Sequence, residues 1–122
     1  MIIAIDFDNT IANTTNYPEI GGPVKGALAG IRELHSKGHY IILWTCREDA
    51  ALDDAYLWLY AHNVCHAFKT YNRNHPDLTE QYGNDSRKIG ADIYIDDKAV
   101  GCPKVDGVVD WDSILRYIEG LE

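Results

Sequence analysis

The chain has 122 residues, of which 46% are hydrophobic and 25% are charged, and its formal net charge is −8. This length fits one domain with a real hydrophobic core, and the hydrophobic share excludes disorder as the default state. The acidic balance argues against bulk binding of nucleic acid, which depends on Lys and Arg that neutralise phosphates. A phosphate ligand would need a cation to offset this field.

The sequence shows no sign of a membrane span or of a disulfide framework. No apolar stretch approaches the roughly 20 residues that cross a bilayer. The apolar run over 1–5 lacks a basic start and meets Asp6, so we expect no signal peptide. Cys46, Cys65 and Cys102 show no CxxC spacing, which favours buried thiols over disulfides or zinc ligands. We therefore expect a cytoplasmic protein without membrane contact. Whether it forms a homo-oligomer is an open question at this point.

Strand and helix patterns alternate along the chain, as in a parallel sheet with helices on both faces. The stretch 70–85 is polar and is predicted to be a loop or a small insertion. The elements predicted from apolar runs and helical spacing are strands over 2–5, 40–44, 66–68, 93–95 and 107–109, helices over about 24–37 and 49–62, and a closing C-terminal helix. The predicted fold is a Rossmann-like, three-layer α/β/α domain over 1–122 with about five mainly parallel strands.

Polar residues follow three of the predicted strands. The segment Asp6-Phe7-Asp8-Asn9-Thr10 follows the first, Thr45-Cys46-Arg47 the second, and Asp96-Asp97 the fourth. Ligands of open parallel sheets bind beyond the carboxyl ends of the strands, so these segments should converge. Crowded carboxylates destabilise a fold unless a cation compensates them, and an all-oxygen ligand set favours Mg²⁺. The sequence therefore predicts a magnesium site that includes Asp6 and Asp96.

Phosphoryl transfer is a reaction that these residue types can support. It needs a nucleophile, a proton donor for the leaving oxygen, and positive or N–H groups around the phosphoryl oxygens. Asp6 can attack and form an aspartyl-phosphate, and Asp8 can protonate the leaving alkoxide and later activate water. Thr45 offers a hydroxyl, and either Lys88 or Lys69 can neutralise charge on the phosphoryl group.

The same loops supply the predicted substrate contacts, which are Asn9, Thr10, Cys46 and Arg47. A guanidinium is well suited to a substrate anion. Arg47 is equally consistent with a surface ion pair to one of the two acidic residues that follow it.

The segment Asp6-Phe7-Asp8-Asn9-Thr10 after an apolar strand resembles the first motif, DxDxT, of the haloacid dehalogenase (HAD) superfamily. Leu43-Trp44-Thr45 resembles the second motif, and Ile93-Tyr94-Ile95-Asp96-Asp97 resembles the fourth. The resemblance spans residues 2–97, and it implies a Rossmann-like, magnesium-dependent hydrolase. The roles that it implies are Asp6 as nucleophile and metal ligand, Asp8 as acid/base with its backbone carbonyl on the metal, Thr10 as a brace of the loop, Thr45 as a phosphoryl ligand, and Asp96 with Asp97 as metal ligands.

The third motif of that superfamily is a lysine. Lys88 precedes Asp96 by a short interval, and Lys69 lies farther upstream. We prefer Lys88, because Ser86-Arg87-Lys88 could begin a helical turn that leads into the fourth strand.

The resemblance also bears on the substrate. The spaces between Asp8 and Val24 and over 70–85 are too short for a cap domain, so the chain resembles a capless phosphatase with an open site. The expected substrate is a phosphate monoester, on a small molecule or a macromolecular end. Phosphotransfer to another acceptor and a non-catalytic module that binds phosphate and Mg²⁺ stay open. Dehalogenation would leave Asp8 without a purpose, and a response-regulator receiver would need an Asp after the third strand.

Overall fold

The computed structural model describes residues 1–122 as a parallel sheet of four strands flanked by helices. In chain order the elements are β1 (Ile2–Ile5), α1 (Ala27–Ser36), β2 (Tyr40–Leu43), α2 (Asp49–Ala61), a 3₁₀ turn (Cys65–Ala67), β3 (Phe68–Tyr71), α3 (Pro76–Tyr82), β4 (Ile93–Ile95), β5 (Lys104–Val105), β6 (Val108–Val109) and α4 (Trp111–Leu121). The predicted Rossmann-like α/β class is confirmed, with four strands in the central sheet instead of five. No helix is both long enough and apolar enough to cross a membrane.

The order of strands places β1 inside the sheet. The order is β3-β2-β1-β4, and all three pairings are parallel. Ile5 pairs with Leu43 on one side and with Ile95 on the other. The chain therefore leaves three adjacent strands at the same level, which brings the segments that follow them to one edge of the sheet.

The two faces of the sheet are covered unequally. Ile3, Ile5, Ile41 and Leu43 belong to a cluster of 21 buried residues that also takes in apolar side chains of α1, α2 and α4. Side chains alternate along a strand, so the residues between them face the other way. There the buried cluster has only three residues, in which Ile89 packs against Ala4 and Ile42 of the sheet.

The strand predicted over 107–109 is present as Val108–Val109, but it is not a fifth strand of the central sheet. Val108–Val109 pairs antiparallel with Lys104–Val105 in a hairpin separate from the central sheet. The turn is Asp106-Gly107, and both residues have positive φ, at 52° and 77°. An Asp-Gly pair between two short apolar runs is the usual signal for a tight hairpin turn. This signal predicts the hairpin better than the apolar run alone predicts a strand of the central sheet.

The stretch 70–85, predicted to be a loop or a small insertion, contains the end of β3 and a short helix. The third strand runs over Phe68–Tyr71, after a 3₁₀ turn at Cys65–Ala67, so it lies later in the chain than predicted. A seven-residue helix, Pro76–Tyr82, follows. Pro76 occupies its first turn and the His75 side chain accepts a hydrogen bond from the Asp77 N–H. The helix buries no residue, so it carries no apolar periodicity that a sequence pattern could reveal.

The cysteines are free, as expected, but their burial was overestimated. Cys46 is exposed, while Cys65 and Cys102 are only partly buried.

Candidate active site at the carboxyl edge of the sheet

Three carboxylates meet where β1 and β4 end. Ligand oxygens of Asp6, Asp96 and Asp97 all lie within 4.8 Å of one another. The Asp6 N–H donates to the Ile95 carbonyl at 2.9 Å, which fixes the end of β1 against β4. None of the ion pairs in the protein involves any of these three acids. We name Asp6, Asp96 and Asp97 the acid cluster.

Thr10 braces the acid cluster from inside. Its side chain is fully buried, and its Oγ1 accepts from the Asp97 N–H at 3.0 Å. The same hydroxyl lies 3.2 Å from Asp6 Oδ2 and 3.4 Å from Asp97 Oδ1, and it can donate its one proton to either. A fully buried Thr10 has no surface for a substrate, so its assignment as a substrate-binding residue is wrong, whereas a bracing position agrees with the geometry.

The surroundings of Asp6 disfavour its charge. Burial is the main cause that raises the pKa of Asp6, from 3.8 to about 8. The hydrogen bond with Asp97 and the charges of Asp96 and Asp97 raise it further, while the Phe7 N–H lowers it. An all-carboxylate set without a counter-charge fits a hard divalent cation such as Mg²⁺, and Asp6, Asp96 and Asp97 are the residues that could hold one.

Asp8 lies apart from the acid cluster, because its carboxylate binds Arg47. Arg47 Nε lies 2.9 Å from Asp8 Oδ2, and Arg47 Nη2 lies 2.8 Å from Oδ1. The Thr14 hydroxyl also donates to Oδ1, at 2.6 Å. A side-chain role of Asp8 in the predicted metal set therefore disagrees with this geometry, while the predicted role of its backbone carbonyl stays a prediction.

Arg47 is fully buried, which corrects both interpretations of this residue. It forms no surface ion pair with the acids that follow it, and its guanidinium is enclosed by protein groups instead of facing a substrate. Besides Asp8, it donates to the carbonyls of Ala51 and Pro18, at 3.3 and 3.1 Å. The ring centroids of Phe7 and Tyr17 lie 5.3 and 4.8 Å from it. Arg47 thus ties the loop after β1 to the loop after β2.

Asn72 organises the loop after β2, and sequence reasoning missed it. Its Oδ1 accepts from the Thr45 N–H at 2.8 Å, and its Nδ2 donates to the Arg47 carbonyl at 3.2 Å. The Thr45 hydroxyl in turn accepts from the Arg47 N–H at 3.1 Å. Asn72 follows β3 with a φ of 57°, a conformation that Asn tolerates better than most residues. The only sequence signal for this role of Asn72 was its position directly after a strand.

The remaining predicted contacts stand at the same edge. Cys46 is exposed in the loop after β2. Asn9 has a φ of 60°, and its side-chain oxygen accepts from the Thr14 N–H at 2.9 Å. Asn9 therefore shapes its own loop, while contact of Asn9 or Cys46 with a substrate stays a prediction.

The two lysines differ in position. Lys69 lies in the edge strand β3, between residues that pair with Ile41 and Ile42, below the carboxyl edge of the sheet. Lys88 is exposed, and its Nζ lies 5.5 Å from the ring centroid of Tyr94. Tyr94 precedes Asp96 by two residues in the chain. The choice of Lys88 over Lys69 stays a prediction. The predicted helical turn at Ser86-Arg87-Lys88 is wrong, because the Ser86 hydroxyl donates to the Lys88 carbonyl in an irregular segment.

Comparison with known proteins adds one relationship. The chain is similar to a conserved protein coded by a locus of Bacteroides thetaiotaomicron, with 36% identity and a TM-score of 0.82. The match covers 100% of this chain and 92% of that one. No family model and no curated protein matches. The chain belongs to the same family as this Bacteroides thetaiotaomicron protein.

Proposed function

We propose that the chain is a magnesium-dependent phosphohydrolase of the HAD type, which cleaves phosphate monoesters through an aspartyl-phosphate on Asp6. One observation carries the proposal. The three carboxylates of the acid cluster lie within 4.8 Å of one another and have no Lys or Arg partner. Such an arrangement is costly at neutral pH unless a cation joins it.

The proposal gives different roles to the acid cluster and to Asp8, the next acid on the loop. A bound Mg²⁺ would neutralise the cluster and draw phosphoryl oxygens to it. Asp6 then attacks phosphorus, and the bond from phosphorus to the ester oxygen breaks. The leaving alkoxide takes a proton from Asp8, which must first turn away from Arg47 and gain that proton from solvent, because both of its oxygens accept hydrogen bonds from Arg47.

The second half of the reaction returns Asp6 to its starting state. Asp8, now deprotonated, accepts a proton from water, and the hydroxide oxygen bonds to phosphorus. The bond between phosphorus and the Asp6 oxygen breaks, which releases inorganic phosphate. We assign Thr45 and Lys88 to the phosphoryl oxygens, because Thr45 follows β2 at the edge of the sheet that carries the acid cluster and Lys88 forms no ion pair.

A reducing compartment is part of the proposal. All three cysteines are free, and Cys46 is exposed. Thiols of this kind persist in a cytoplasm that keeps them reduced, so we propose a cytoplasmic location.

Hydrolysis of p-nitrophenyl phosphate tests the proposal. We expect turnover with Mg²⁺, loss of turnover with EDTA, and recovery when Mg²⁺ is restored. Asp6→Asn should abolish turnover because an amide cannot serve as the nucleophile. Asp54→Asn, on the exposed side of α2, is the matched control and should leave turnover unchanged. Turnover that survives both EDTA and Asp6→Asn would refute the proposal.

A further inference from the structure

Asn74 is a buried residue whose side-chain amide and backbone N–H bind one later segment of the chain. The residue is 6% exposed. Its Nδ2 lies 2.8 Å from Asp85 Oδ1 and 3.2 Å from the Ser86 carbonyl. Its Oδ1 accepts from the Gly90 N–H at 2.7 Å, and its own N–H donates to Asp85 Oδ1 at 3.1 Å. Asn74 therefore holds both ends of the segment 85–90.

The segment 85–90 contains neither helix nor strand, so its shape depends on such contacts. A second anchor holds it to the sheet. The Tyr94 hydroxyl donates to the Ile89 carbonyl at 2.6 Å and accepts from the Ala91 N–H at 3.2 Å. Ile89 itself is buried against Ala4 and Ile42. Asn74 and Tyr94 thus fix the backbone on both sides of one exposed residue, Lys88.

Lys88 lies on the face of the sheet that Ala4 and Ile42 line, where aromatic side chains connect it to the loop after β2. Its ammonium is 5.5 Å from the Tyr94 ring centroid, and the Tyr94 ring lies 5.4 Å from that of Trp44. Trp44 directly precedes Thr45 in the chain. Lys88 forms no ion pair with any carboxylate, so its charge is available for an anion.

We infer that Asn74 is a positioning residue, which acts by holding the segment 85–90 so that Lys88 meets the phosphoryl group. This inference rests on the proposed function. Without the Asn74 amide, the Gly90 N–H loses its partner, the Asp85 carboxylate keeps only the backbone N–H of residue 74, and the segment gains freedom. Lys88 then spends less time where it can bind the phosphoryl oxygens, and misplacement of a binding group lowers the rate.

A double-mutant cycle separates this role from a purely structural one. We expect Asn74→Ala to lower kcat/KM for p-nitrophenyl phosphate by about tenfold or more. If Asn74 acts through Lys88, then Asn74→Ala adds no further loss in a Lys88→Ala background. Asn84→Ala is the matched control, because the exposed Asn84 contacts only the Tyr82 carbonyl, at 3.5 Å.

Asp85→Ala is a second variant for the same segment. It replaces an exposed residue and removes the carboxylate that binds the Asn74 amide. It touches none of the buried core, so it keeps the inference testable if Asn74→Ala folds poorly. Its loss of kcat/KM should likewise vanish in the Lys88→Ala background. Losses that multiply with Lys88→Ala, or a normal kcat/KM in both variants, would overturn the inference while leaving the phosphatase proposal intact. A wild-type protein without phosphatase activity would instead overturn the proposed function, and this inference with it.

Discussion

Arg47 and Asp8 form a side-on pair in which Nε and Nη2 of a fully buried guanidinium bind the two carboxylate oxygens at 2.9 and 2.8 Å. A buried guanidinium is costly unless every donor finds a partner. Here the backbone carbonyls of Pro18 and Ala51 take further donors. The pair therefore sets the direction of the Asp8 side chain and joins two loops that flank the acid cluster.

The first prediction concerns this pair. Arg47→Ala should lower the free energy of unfolding by about 3 kcal/mol, because it leaves Asp8 without its partner. It should also lower kcat more than it raises KM, since the loop that carries Asp8 would lose its tie to the loop after β2. Urea unfolding and steady-state kinetics measure the two effects. Arg47→Lys keeps the charge but not the planar fork, so it should restore stability only in part.

Arg116→Ala provides the control for that experiment, because Arg116 is exposed and donates only to the Ser113 hydroxyl, at 3.0 Å. Equal effects of the two substitutions on stability would contradict the assigned role of Arg47.

The second prediction follows from the raised pKa of Asp6, which burial, Asp97 and Asp96 bring from 3.8 to about 8. Between these two pH values the unfolded chain releases the Asp6 proton and the folded chain retains it. Unfolding thus becomes easier as pH rises, and the metal-free protein should lose stability from about pH 4 to about pH 8. Thermal melting in EDTA measures the loss.

Asp6→Asn isolates this contribution, because an amide does not titrate. The difference in melting temperature between Asp6→Asn and the wild type should grow with pH over that window, in favour of the variant. A difference that stays constant between pH 4 and pH 8 would mean that Asp6 ionises in the folded protein as it does in the unfolded chain.

The third prediction concerns magnesium. Addition of Mg²⁺ should raise the melting temperature, and more at pH 8 than at pH 5, because the cation binds the ionised acid cluster. At about 100 times its dissociation constant, a ligand adds about 2.7 kcal/mol of stability. Asp96→Asn should weaken the effect, whereas Asp77→Asn, an exposed acid outside the cluster, should not. An equal shift in both variants would place the cation elsewhere.

The acid cluster was predictable from sequence because it depends on a simple rule. Asp6 and Asp96 each follow an apolar run, and parallel strands end at the same edge of a sheet. The partner of Arg47 was not predictable in the same way, because Asp8 is 39 residues away and the contact depends on where two loops turn. A charged residue at a loop looks exposed in sequence, and only its packing reveals burial.

The contacts of the Asn74 side chain were also not predictable from sequence. Asn74 binds a segment 11 to 16 residues downstream, where neither periodicity nor a motif marks the contact. Its burial follows from the path of the chain between β3 and β4. By contrast, Asp106-Gly107 was a local signal that the apolar run beside it obscured, so the hairpin could have been predicted from sequence.

The last prediction tests how the loop after β2 is held. Asn72→Gly keeps a residue that adopts positive φ but removes the amide that binds the Thr45 N–H and the Arg47 carbonyl. It should lower the free energy of unfolding by about 1–2 kcal/mol and raise KM, because Thr45 loses its fixed position. Asn72→Ala adds the strain of positive φ, worth about 1 kcal/mol more. Urea unfolding of the two variants separates hydrogen bonds from strain, and an Asn72→Gly variant with normal stability and KM would show that the loop holds Thr45 without this amide.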